Sequence, residues 1–208
     1  MIHLPINLET FGFVQREKNN GVTVIYKCQR DFLYYALHYF FPALFNQENN
    51  NPKQIEEKGL FGLPVPYLLA WTNFQVYKVP SILKKYSLHL FINKREIRSY
   101  IGLVFSLLFS RISYEEAIEI VEKDIQEHNV VAIDIAFKFQ GLEDHILFVY
   151  GYDEYNFYVF DTHQVPGLAY EKLTNDKRFY MKISKMEVRK RWKMFSRIWE
   201  VSKKLYEY

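Results

Sequence analysis

Three β-rich runs between Val130 and Asp161, parted by two short polar turns, constrain this chain more than any other feature. Val130–Phe139 is rich in β-branched and aromatic residues and reads as a buried strand. A turn at Gln140–Asp144 leads to a second strand, His145–Tyr152, and a turn at Asp153–Asn156 leads to a third, Phe157–Asp161. Turns this short permit only antiparallel neighbours, because a parallel connection needs a dozen or more residues. Upstream the pattern turns helical. A hydrophobic helix is expected from about Cys28 to the neighbourhood of Pro42, where the proline ring ends the hydrogen-bond ladder. Ser113-Tyr-Glu-Glu116 is a capping-box pattern, and Ala117, Ile118, Val121 and Ile125 then mark one face of a helix ending near His128 and Asn129. Helices first and an antiparallel sheet second make the expected class α+β.

Between these elements, Asn19-Asn20-Gly21 predicts a short hairpin before Cys28, and Asn46–Lys58 reads as a polar surface loop. Gly59–Pro66 is punctuated by glycine and proline and runs into an apolar stretch, Tyr67–Trp71. At 208 residues the chain is expected to form a single domain. The C-terminal segment is basic. Val188, Trp192, Phe195, Ile198, Trp199 and Leu205 fall at helical spacing in a segment with nine Lys and Arg over 182–204, which predicts an amphipathic helix over about 186–206 packed on the body.

One cysteine excludes an internal disulfide framework and points to a reducing compartment. No signal-peptide pattern opens the chain, and Ser99–Ser110, its most apolar stretch, is too short to span a bilayer. A cytoplasmic location is therefore expected, with no membrane span, and a net charge of +3 makes nucleic acid an unlikely partner.

The chemistry turns on Cys28. A thiol heading a helix has its pKa lowered there, and a nearby imidazole lowers it further. His145 opens one strand and Asp161 closes the next. Strand alternation puts His145, Leu147, Val149 and Gly151 on one face. A loop of three or five residues would set Asp161 opposite Leu147 on that same face; an even-numbered loop without a bulge would turn it away. In the right register Cys28 would attack a carbonyl, His145 would take and return the proton, and Asp161 would hold the imidazole.

Cys28 with Phe32–Phe41, then Glu115–Glu127, Val130–Phe139, His145–Asp153 and Tyr158–Asp161 together resemble the papain-like cysteine peptidases of the bacteriocin-processing type. The resemblance implies a papain-like fold with the cysteine heading the first core helix, and a Cys28–His145–Asp161 triad acting on a peptide. Two positions depart from that family. Gln29-Arg30-Asp31 follow the cysteine where small residues are usual, and Val22 stands where an oxyanion-binding glutamine is usual. Gln15 is the nearest upstream glutamine and the oxyanion candidate. The chain is also similar to the N-terminal domain of the butirosin-biosynthesis acyltransferases, which implies the alternative that the thiol passes an acyl group from a carrier to an amine. A third reading is an inactive papain-like module that binds a peptide in its cleft. No cofactor is expected. Asp144-His145 and Asp161-Thr-His163 raise a metal site as a rival, although they lack the helical spacing of the zinc-protease motif.

Overall fold

The structure, a computed structural model, describes residues 1–6, 28–42, 79–138, 143–161, 167–173, 180–194 and 196–203. Five helices lie among them: α1 (Cys28–Phe40), α2 (Val79–Lys85), α3 (Tyr100–Phe109), α4 (Tyr114–Gln126) and α5 (Lys185–Arg191). The strands are β1 (Ile2–His3), β2 (His89–Ile92), β3 (Arg95–Glu96), β4 (Val130–Lys138), β5 (Glu143–Tyr152), β6 (Asn156–Phe160), β7 (Tyr170–Lys172), β8 (Tyr180–Ser184) and β9 (Arg197–Ser202). They form one sheet in the order β3-β2-β9-β4-β5-β6-β8-β7, every pair antiparallel. The class is α+β.

Local sequence explains several of these elements. Helix α1 stops at Phe40, two residues before Pro42. Ser113 caps α4 by accepting the Glu116 N–H at 3.0 Å, as the capping-box pattern predicts. The buried stripe of α4 is Ala117, Ile120, Val121, Asp124 and Ile125, so Ile120 takes the central place expected of Ile118. The expected hairpin at 19–21, the loop at 46–58 and the apolar stretch at 59–71 lie outside the described residues.

The basic helix expected over about 186–206 is not what forms. Helix α5 ends at Arg191, and Arg197–Ser202 is β9, buried along its whole length between β2 and β4. A strand covered on both faces shows no polar-apolar alternation, so its residues could be fitted to a helical stripe equally well. Its charges are absorbed by partners: Arg197 lies 3.6 Å from Asp134, and Glu200 accepts from Asn129 at 3.4 Å.

Residues directly opposite in adjacent strands share a face, which assigns the two sides of the sheet. On one side Phe148 faces Phe160 and Phe160 faces Tyr180. Helix α1 packs there, with Tyr35 against both Phe148 and Phe160 at ring distances of 5.1 and 5.5 Å. On the other side Val149 faces Val159, and Tyr152 faces Phe157. Helices α4 and α5 cover that side. Gln126 donates to the Tyr152 hydroxyl at 2.6 Å, and Lys185 sits over the Tyr152 and Phe157 rings while pairing with Glu122 at 2.6 Å. At the Tyr152 end, β1 joins the free edge of β5 beyond β4, opposite Gly151. A Cβ on Gly151 would come within 2.9 Å of the His3 Cβ and the Ile2 carbonyl, so only glycine admits this strand.

Candidate functional site: the His145–Asp161 pair

The β5–β6 hairpin decides where Asp161 points. Tyr152 pairs with Phe157, leaving an even loop of four residues, Asp153–Asn156. Asp153 builds that loop: its carboxylate accepts the Tyr155 N–H at 2.8 Å, the Asn156 N–H at 2.7 Å and the Tyr158 hydroxyl at 2.7 Å. Against the upward pull of burial, these hydrogen bonds hold its carboxyl down to about 2. An even loop alone would turn Asp161 away from His145. A bulge corrects it. The register shifts between Val149 and Gly151, so that Tyr150 is the extra residue and the pairs beyond are Val149 with Val159 and Phe148 with Phe160. Asp161 then falls opposite Leu147, on the face of His145.

The two side chains meet there. His145 Nε2 lies 2.9 Å from Asp161 Oδ1, and both residues are buried, at 3% and 1% exposure. The second carboxylate oxygen, Oδ2, accepts a hydrogen bond from the Tyr170 hydroxyl of β7. Burial first, and the Asp161 carboxylate beside it second, push the Tyr170 hydroxyl well up, so it remains a donor. Tyr170 carried no recognisable sequence signal.

Cys28 is the first residue of α1; its side chain lies outside the described residues, as does Gln15. The run of the helix can be followed. Its C-terminal end lies by the start of β4, where Phe40 is 5.3 Å from Lys203, just beyond the Val201–Val130 pair. Phe32 lies 6.5 Å from Phe148, nearer the other end of the sheet. Helix α1 packs on the Phe148 face, whereas His145 and Asp161 are rooted on the opposite one.

On the α1 face at this same end lies a second polar cluster that the sequence reading missed. Asp134 accepts from Trp199 Nε1 at 3.2 Å and pairs with Arg197. Burial pushes its carboxyl up, and the Arg197 guanidinium opposes that. An aspartate inside Val130–Ile135, an otherwise apolar run, was a legible sign of a buried charge needing a partner.

A cleft of about 440 Å³ opens at the far end of α1, lined by Tyr39, Phe40, His128, Asn129 and Lys203 among others. It sits by Val130, five residues along β4 from the partner of His145, or roughly 17 Å at strand spacing, and takes no part in the dyad. Among the described residues no group of three or more His, Cys, Asp or Glu could hold a metal ion; His163 is outside them. No described helix is long and apolar enough to cross a membrane. No family model matches the chain, and neither a curated protein nor a solved structure shows significant similarity to it.

Proposed function

We propose that the chain is a papain-like thiol enzyme acting on a peptide or other acyl substrate, with Cys28 as nucleophile, His145 as general base and Asp161 as the orienting carboxylate. The observation that carries this reading is the buried contact of His145 Nε2 with Asp161 Oδ1 at 2.9 Å. Asp161 Oδ1 lies beside Nε2, which leaves Nδ1 as the atom that would exchange a proton with the thiol. The Cys28 thiolate adds to the substrate carbonyl carbon, and the imidazolium returns the proton to the departing amine or carrier thiol. The resulting thioester then passes its acyl group to water, as in a peptidase, or to an amine, as in an acyltransferase.

A second reading, a papain-like module that binds a peptide without turning it over, is favoured by the depth of the dyad and by its root on the face away from α1. Labelling separates the two. In the enzyme, iodoacetamide alkylates Cys28 in the folded protein at pH 6, where an ordinary thiol is almost wholly protonated. His145→Ala slows this strongly and Asp161→Ala less, with the combined loss smaller than the product of the two. Circular dichroism confirms that each variant is folded. Labelling only after denaturation, or equally in wild type and His145→Ala, rejects the catalytic pair and leaves the binding module. Incubating active enzyme with a thioester donor, with and without an added amine, then distinguishes hydrolysis from transfer by the product mass.

A further inference from the structure

We propose that Tyr170 is a positioning residue that locks the Asp161 carboxylate, and through it the tautomer of His145. The geometry stands by itself; its consequence for catalysis rests on the thiol-enzyme reading above.

Asp161 lies one residue beyond the end of β6. A carboxylate there can rotate about its last bond, and rotation would carry Oδ1 off the imidazole. The Tyr170 hydroxyl prevents this by taking Oδ2, so that each oxygen of Asp161 meets a different partner. Tyr170 is itself braced. Its N–H donates to the Leu168 carbonyl at 3.1 Å, and the preceding turn residue, Gly167, stands at φ +87, a conformation glycine adopts without strain. Arg191 of α5 donates to the Gly167 carbonyl while its Nε pairs with Glu187 at 3.1 Å. The chain of contacts runs from helix α5 through the Gly167 turn to Tyr170, Asp161 and His145. An anchored carboxylate 2.9 Å from Nε2 favours the proton on that nitrogen and leaves Nδ1 basic, which is the form the proposed reaction needs.

The test uses the full chain labelled with ¹⁵N-histidine. His145 is assigned among the six histidines by its loss in His145→Gln. Recorded at alkaline pH, where an imidazole is neutral, its ring nitrogens in wild type should report one tautomer, protonated at Nε2. Tyr170→Phe keeps the ring and removes only the hydroxyl, so a packing role would leave that spectrum alone. The expected result is a mixture of tautomers, with alkylation of Cys28 at pH 6 slowed on the order of ten-fold. Unchanged His145 signals in folded Tyr170→Phe, where Asp161→Asn does shift them, overturn the proposal and leave the dyad standing. Unchanged signals in both variants overturn the dyad as well. A tautomer shift with unaltered labelling supports the positioning role and counts against the thiol-enzyme reading alone. Should Tyr170→Phe not fold, 3-fluorotyrosine placed at 170 provides the second arm. It keeps a more acidic O–H and should preserve the single tautomer; a mixture there overturns the lock.

Discussion

Asp124 sits on the buried stripe of α4, and Asn129 offers its side-chain amide both to Asp124 Oδ1 and to Glu200 Oε1 of β9, each at 3.4 Å. Burial first, then the neighbouring Glu200 charge, push the Asp124 carboxyl up to about 8. The unfolded chain releases that proton near 4. Between these values the native state binds one more proton than the unfolded state, so this residue's stabilisation is complete below about 4 and is lost as pH rises towards 8. The slope is at most about 1.4 kcal/mol per pH unit. Asp124→Asn keeps a neutral hydrogen-bonding group and removes the titration. Urea denaturation should therefore show the variant no more stable than wild type near pH 5 but more stable at pH 8. Parallel pH profiles for the two proteins would mean that Asp124 is ionised in the fold. None of this was legible in the sequence, where Asp124 is one acidic residue among several on an amphipathic helix. Its burial depends on β9, which follows more than seventy residues later.

Elements with a local signature were the ones the sequence disclosed. Ser113 announced α4, Pro42 bounded α1, and the turn at Asp153–Asn156 delimited β5 and β6. Strand β9 had no such signature, because its identity comes from the neighbours that bury it. Registered between β2 and β4, with Trp199 set against Ala132 and Ile92, it holds two parts of the sheet together. Removing it should therefore do more than detach a surface helix. A chain ending at Lys193 is expected to show no cooperative thermal transition, and Trp199→Ala should cost about 3–5 kcal/mol. Ser113→Ala, the loss of a helix cap alone, should cost only about 0.5–2 kcal/mol. If the truncated chain melts cooperatively near the wild-type temperature, β9 is an accessory strand and the sheet closes without it.

At the scale of the whole molecule, the chain order Cys28, His145, Asp161 was legible in the sequence, while the faces of the sheet taken by α1 and by the His145–Asp161 pair were not. The face of Asp161 is set by an extra residue at Tyr150, and a run of apolar residues offers no local sign of where a bulge will fall. Nor could strand alternation say which face α1 would choose. The outcome is a polar unit of His145, Asp161 and the half-buried Tyr170, one of several polar groupings, with Asp134–Arg197 and Asp124–Asn129–Glu200, in a core built chiefly from aliphatic and aromatic side chains. Such a unit is hard to justify by stability. Removing one charge-bearing partner leaves the other buried, whereas replacing the whole unit with apolar groups is often neutral or stabilising. His145→Leu alone should thus destabilise the fold by about 3–5 kcal/mol at pH 7, because the Asp161 carboxylate loses the imidazole beside it. The triple variant His145→Leu, Asp161→Val, Tyr170→Phe leaves no buried group of the unit unsatisfied. It should recover wild-type stability or exceed it by about 1–4 kcal/mol, while Cys28 loses its labelling at pH 6. Urea denaturation of the single and triple variants measures this directly. A triple variant less stable than His145→Leu would identify the unit as a structural keystone and remove the reason for assigning it a chemical task.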